Sequence, residues 1–290
     1  MLNGFINLYK EKNITSNKAL SSLKFQLKQN NIITKVGHFG TLDPDAEGVL
    51  PVALGRATRL FDYNINKKKI YKASFEFGKE TDTLDLSGKI LKEEDVSIKS
   101  EDVLKVTDSF IGDIEQYPPK YSAKSVGGTR AYKLARKGVD FYLKPKTVHI
   151  YSVELINKSG HNQYEFRIIC SGGTYIRAIA RDMAYKMGTI GIMTELVREK
   201  SGYFDISESV KLSKLENSDI SSYILPMDIV LKDYKRIDIT KNQKKDLLDG
   251  KRIDYNNLSD GYFAVYSENQ LAGIGHKDEL GRLFIKTWLL

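Results

Sequence analysis

The chain has 290 residues, 45 Lys and Arg against 37 Asp and Glu for a net charge of +8, with 41% hydrophobic and 28% charged residues. These proportions belong to a globular chain with a sizeable core, one large domain or a large and a small one, and they exclude a disordered tail or a fibre. The basic balance favours a polyanionic partner such as RNA, but charge alone names no substrate.

Gly4-Phe5-Ile6-Asn7-Leu8-Tyr9 reads as a first strand. Lys10, Glu11 and Lys12 follow it, an order and length unlike a signal peptide. No apolar stretch approaches the roughly eighteen residues of a membrane span, and a soluble, cytoplasmic protein is expected. Ser16 is placed to cap a helix whose Leu20, Leu23 and Leu27 share one face.

Residues 36–51 combine Gly37, Gly40 and Gly48 with His38 and the pair Asp43-Pro44. The glycines admit backbone conformations closed to other residues, and Pro44 biases Asp43 toward extended or turn geometry, so the segment is a shaped loop. The apolar run from Gly48 to Gly55 reads as a buried strand anchoring it. A carboxylate held there, partly shielded from water, suits a nucleophile; Asp-Pro also opens ordinary turns, the commoner role on spacing alone.

The run Gly37 to Pro51, GHFGTLDPDAEGVLP, closely resembles the motif of the tRNA pseudouridine-55 synthases of the bacterial TruB type. The resemblance implies that Asp43 is catalytic and that His38 takes the place of the flipped base within the RNA loop; a satisfied structural histidine is the competing reading. Where the family has a D-K-P-x-G-x-T-S-like segment, this chain has Tyr9-Lys10-Glu11-Lys12-Asn13-Ile14-Thr15-Ser16. Lys10, Thr15 and Ser16 match, which implies a substrate-binding Lys10, while the Pro and Gly are absent.

Arg56 to Asn64 reads as a short helix, and Tyr71, Ala73, Phe75 and Phe77 then alternate with polar residues as a half-buried strand with Tyr71 in the core. The segment Lys69-Ile70-Tyr71-Lys72-Ala73 resembles the family's K-x-Y-x-A strand, implying that Tyr71 contacts the target base. Glu80 to Gly88 resembles its x-T-D-T-x-D-x-x-G segment, implicating Asp82 in substrate binding. By composition Asp82 and Asp85 are solvated turn residues rather than a metal site, and no metal is expected.

Val103, Leu104, Thr107, Phe110 and Ile111 suit a packed helix. Pro118-Pro119 then holds residues 114–124 extended, in a segment resembling the family's Q-x-P-P-x-Y-S-A. From Lys124 to Lys146 seven Lys and Arg interleave with Tyr132, Phe141 and Tyr142, an RNA-contact pattern in which cations meet phosphates and rings meet bases. A solvated basic helix is the alternative. The family's thumb, which closes on the tRNA T arm, lies here, and its G-x-R-x-Y-x-x-A-R pattern implicates Arg130, Tyr132 and Arg136, with Lys133 added as one of the basic residues of the run. Ser125 stands where the family has a lysine, with Lys124 beside it.

Residues 148–152 and 164–170 alternate as an antiparallel pair. The single cysteine, Cys170, faces the core, forms no internal disulfide or zinc site, and fits a reducing cytosol; His149 and His161 lack zinc-ligand spacing. Gly172-Gly173 opens a helix carrying Ile176, Ala180, Met183 and Met187 on one stripe, with Arg177 and Arg181 on its flank. Two adjacent glycines fit neither dinucleotide nor P-loop spacing, so no nucleotide cofactor is expected. Cys170 to Arg177 resembles the family's C-S-x-G-T-Y-I-R, implying that Arg177 pairs with the catalytic aspartate. Leu196, Arg198, Ser201, Gly202 and Phe204 match its L-R-R-x-x-x-G-x-F segment apart from Val197, implicating Leu196, and Leu225-Pro226-Met227-Asp228 resembles the close of its catalytic domain.

Lys232 to Arg252 is basic, with a helix over 242–248, and three strand-like runs follow near 262–266, 271–275 and 283–288, resembling the family's small PUA-like β domain. The expected fold is α+β: a mixed, largely antiparallel sheet with packed helices and a thumb insertion. The expected division is a catalytic domain over 1–232, its thumb at about 121–147, and an RNA-binding PUA-like domain over 233–290. The resemblance implies isomerisation of uridine 55 in the tRNA T loop by base flipping, with tRNA binding or folding as an accompanying activity and no cofactor or obligate protein partner. The rivals are a non-catalytic RNA-binding protein, which intact Asp43, Tyr71 and Arg177 oppose, and an Asp-dependent hydrolase, for which a second positioned acid, base or metal set is missing.

Overall fold

Alternating apolar and polar residues form a strand in the interior of the large sheet. The computed structural model describes residues 2–64, 67–216, 218–255 and 261–290. Its main elements, in order, are β1 (Gly4–Lys10), α1 (Ser16–Gln29), β2 (Glu47–Leu54), β3 (Lys69–Phe77), β4 (Gly112–Gln116), β5 (Lys146–Lys158), β6 (Gln163–Cys170), α2 (Ile176–Lys186) and β7 (Gly191–Ser201). The sheet runs Val210–Lys211, β1, β2, β7, β3, β6, β5, β4. Only the first pair and β2 with β7 are parallel along that path, so the sheet is mixed and largely antiparallel, as expected.

Tyr71, Ala73, Phe75 and Phe77 of β3 turn to one face and meet Tyr164, Phe166 and Ile168 of β6 beneath α2, with the Phe75 and Phe166 rings 4.8 Å apart. Burial of each such ring contributes about 2 kcal/mol. Leu23 and Leu27 of α1 pack on Ile6, Leu8, Leu50 and Val52 of β1 and β2 in a second cluster. Where β7 crosses β2, a Cβ on Gly48 would overlap the Arg198 carbonyl, and the residue's φ is +105°; both require glycine.

Several local expectations are corrected. Thr15, not Ser16, caps α1: Thr15 is extended and its side chain accepts from the Lys18 N–H, while Ser16 begins the helix and turns inward. Residues Gly55–Leu60 form a 3-10 helix and only Phe61–Asn64 an α-turn. In the helix Ser100–Thr107, Val103 and Thr107 stack one turn apart on the core, which rotates Leu104 outward, and Ile111 is also exposed.

The C-terminal sheet has four strands rather than three: β8 (Lys235–Ile239), β9 (Tyr262–Ser267), β10 (Gln270–Lys277) and β11 (Leu283–Trp288), with α3 (Lys241–Leu248) after β8. β8 was hidden in a basic run, and it joins β9 in parallel, a pairing no hairpin signal announces. Both faces of β9 are covered. Phe263 and Val265 meet Ile237, Leu247 and Leu283, while Ala264 and Tyr266 join Phe5 and Phe204 of the large sheet and Phe39 of the loop before β2. Arg59 Nη1 donates to the Trp288 carbonyl at 2.7 Å, so this sheet sits against the end of the segment after β2. Among the described residues no helix is long and apolar enough to cross a membrane.

Candidate active site

The loop between Val36 and β2 is held from three sides by groups distant in sequence. Val36–His38 pairs with the end of β2, and the Phe39 N–H donates to the Pro51 carbonyl at 2.8 Å. Ser16 Oγ exchanges hydrogen bonds of 2.9 Å with both backbone groups of Leu42. Lys10 is fully buried, and its Nζ donates to the carbonyls of Glu11, Ile14 and Pro44 at 3.0, 2.7 and 3.0 Å. Arg198, also fully buried, donates from Nε to the Val49 carbonyl at 2.7 Å and from Nη2 to the Gly40 carbonyl at 3.0 Å. Charged donors cannot be left idle at such depth, so these carbonyls and cations fix one another.

Within that frame Asp43 both closes a turn and pairs with Arg177. Its carbonyl accepts from the Ala46 N–H at 3.2 Å, closing a turn over Pro44 and Asp45, and its carboxylate meets Arg177 side-on. Arg177 Nε lies 2.9 Å from Oδ2 and Nη2 donates to Oδ1 at 3.0 Å. The guanidinium is itself buried and its other hydrogens go to the Thr83 and Tyr121 carbonyls, at 2.8 and 3.1 Å. Asp85, 3.3 Å from Nη1, is the second carboxylate on this cation. Burial raises the Asp43 carboxyl above its ordinary value, Arg177 opposing and Asp85 adding to the rise.

Asp85 was expected to be a solvated turn residue, and the structure overturns this: it is buried and accepts from Thr83 Oγ1 and Ser87 Oγ, each at 2.6 Å. A carboxylate serving Arg177 from another loop carries no local sequence signal. Asp43 and Asp85 line a cleft of about 430 Å³ together with Leu86, Met193, Thr194 and Leu196. Among the described residues no three His, Cys, Asp or Glu side chains are grouped to hold a metal ion.

Tyr71 lies under the loop, 6% exposed, packed with Leu42, Ile176 and Leu196. It stands opposite Arg198 in the β3–β7 register, and burial pushes its hydroxyl up to about 12 although that guanidinium opposes the rise. The phenol is therefore neutral near pH 7.

The other residues singled out by resemblance fall into two groups. His38 is half-buried on the same loop; its Nδ1 has no partner among the described residues, and burial, with Arg198 nearby, lowers its pKa. Asp82 accepts from the Lys89 N–H at 2.8 Å and from the Tyr121 hydroxyl at 3.0 Å. Tyr121 thus joins Asp82 to Arg177 at the start of the thumb. Beyond it, Ser125–Val126 and Thr129–Arg130 form a hairpin whose two turn residues, Gly127 and Gly128, both have positive φ, followed by the helix Ala131–Arg136. Arg130, Lys133 and Arg136 are exposed there, the Arg136 guanidinium 5.7 Å from the centre of the half-buried Tyr132 ring. None of the three lines the cleft at Asp43.

The missing N-terminal glycine has a local replacement. Asn13 occupies its place at φ +65°, a left-handed conformation that asparagine tolerates better than most side chains. Arg198 and Asn13 were present in quoted motifs but had no assigned part; the αL tolerance of Asn13 was the one readable signal.

Comparison with known proteins places the chain in a family. Residues 26–176 match the model of the TruB family pseudouridylate synthase N-terminal domain. The tRNA pseudouridine synthase B of Clostridium tetani is 40% identical over 98% of this chain and 99% of its own, and that of Clostridium kluyveri is 37% identical over 99% and 100%. The solved structure described as a Cbf5-Nop10-Gar1 complex shares the fold, with a TM-score of 0.73 at 22% identity, covering 99% of this chain and 85% of that one. With a family model spanning half of its residues and relatives matching it nearly end to end, the chain belongs to the TruB family of pseudouridylate synthases.

Proposed function

We propose that the chain converts uridine 55 in the T loop of tRNA to pseudouridine. The C1′–N1 bond breaks, a C1′–C5 bond forms, and the C5 proton is lost as N1 gains one, so atoms and oxidation state balance without a cofactor. The observation that carries this reading is the Asp43 carboxylate, gripped side-on by buried Arg177 at the wall of a cleft. Asp43 starts the reaction, by attack or by assisting departure of the base, and Arg177 holds its charge. Tyr71 lies against the base and supplies a neutral hydroxyl, Leu196 packs beside it, and His38 fills the stack the nucleotide leaves. Lys10 acts from beneath, through the Pro44 carbonyl, and Asp82 through Tyr121.

Residues 1–232 form the catalytic domain. Arg130, Tyr132, Lys133 and Arg136 of the thumb, residues 121–147, close on the T arm, and residues 233–290 form a PUA-like RNA-binding domain. The relatives' name supports tRNA as the substrate. The enzyme works in the cytoplasm, and its grip on the T arm assists tRNA folding as well as modification.

Incubation with an unmodified tRNA transcript, followed by mapping of pseudouridine, tests the assignment: the product is expected at position 55 of the T loop, and modification elsewhere or none overturns it. Replacing Arg130, Lys133 and Arg136 together by Ala is expected to weaken tRNA binding by tenfold or more and to flatten its log-log salt dependence by up to about one unit per lost phosphate contact. Unchanged affinity and slope would make the thumb a solvated face.

A further inference from the structure

The groups around the loop are unevenly charged. The cleft beside Asp43 is lined by Asp43, Asp45, Asp85 and Glu195 with Lys12 as its one lysine, a poor place for a phosphodiester. Cations gather instead at the end of the sheet where β3 and β5 start and β6 and β7 finish. Lys69 is 6% exposed there, and among the described residues its Nζ has no hydrogen-bond or ion-pair partner. A point beside Gly40, where a Cβ would stand, is 3.4 Å from Lys69 Nζ and 3.5 Å from Arg198 Nη1, so the glycine leaves space between two cations. Lys146 Nζ occupies the corresponding space at Gly173, next to the β6 terminus that pairs with Lys69. Burial, together with Arg198 and Lys146, lowers the Lys69 amine to about 8, with Cys170 opposing the fall. Such a cation is costly to keep unless something anionic arrives.

We propose that Lys69 and Lys146, with the buried, carbonyl-bound Arg198 adding its charge from behind, form a recessed anion site that receives an RNA backbone phosphate beside the extruded nucleotide, an inference that rests on the RNA-modifying function above. Base and phosphate are thereby sorted by charge: the base enters the carboxylate-lined cleft and the phosphodiester stays with the cations.

The test uses a T-arm stem-loop RNA carrying single neutral methylphosphonate linkages at successive positions, with wild type, Lys69→Met and Lys69→Arg. One linkage is expected to weaken wild-type binding about tenfold and to leave Lys69→Met no weaker than it already is. Lys69→Met should bind unmodified RNA about tenfold less tightly with a salt slope flatter by about one, Lys69→Arg should restore both, and Lys69→Met should melt no lower than wild type. The site is overturned if Lys69→Met binds like wild type, if no linkage couples to Lys69, or if the loss follows a lower melting temperature that Arg does not restore. Absence of pseudouridine formation by the wild type would overturn the proposed function instead; formation without any coupled linkage overturns only the phosphate site.

Discussion

Asp43→Asn is expected to abolish pseudouridine formation, a fall of more than about ten-thousandfold, while tRNA affinity stays within a few fold. The amide keeps the volume and one acceptor but removes the charge that the proposed chemistry needs at the cleft. Arg177 is not orphaned by the change, because Asp85 and the Thr83 and Tyr121 carbonyls still hold it, so the fold should lose no more than about 2 kcal/mol. Single-turnover assays and melting curves measured together separate lost chemistry from lost structure. The pH profile adds a second readout. With its pKa raised by burial, Asp43 loses its charge as pH falls through a value above that of an ordinary carboxylate, and the wild-type rate should drop there. Near-wild-type turnover by the Asn variant would sink the catalytic assignment.

Tyr71→Phe distinguishes a reacting tyrosine from a core ring. Phe fills the same volume among Leu42, Ile176 and Leu196, and Arg198 retains its carbonyl acceptors, so the melting temperature should move by only a few degrees. If the hydroxyl takes part in proton transfer on the flipped base, its loss should lower the single-turnover rate by about a hundredfold to ten-thousandfold. Tyr71→Leu should lose comparable rate and also some stability, since a smaller side chain leaves a void beneath the loop. If Tyr71→Phe works at the wild-type rate with saturating enzyme, the ring only packs or stacks, and the hydroxyl has no part in the mechanism.

The sequence by itself determined features that are local or periodic. The alternation from Tyr71 to Phe77 marked a strand buried on one face, the glycines and Asp-Pro marked a shaped loop, and the contiguous motifs around Asp43 and Arg177 placed the chain beside a family. Tertiary structure decided what depends on segments far apart in the chain. Asp85 looked solvated because it lies in a polar loop beside a second carboxylate; it is buried because Arg177, on α2, reaches it. Ser16 looked like a cap, yet packing of α1 over the loop turned it onto Leu42 and left capping to Thr15. Leu104 and Val103 are equally apolar neighbours, and only the angle at which their short helix meets the sheet exposes one and buries the other. Lys10 and Arg198 carry charges that composition assigns to the surface, but carbonyls converging from separate strands and turns hold them at zero exposure. Desolvating a cation is unfavourable until its acceptors are assembled around it, and those acceptors exist as a set only once the chain has folded.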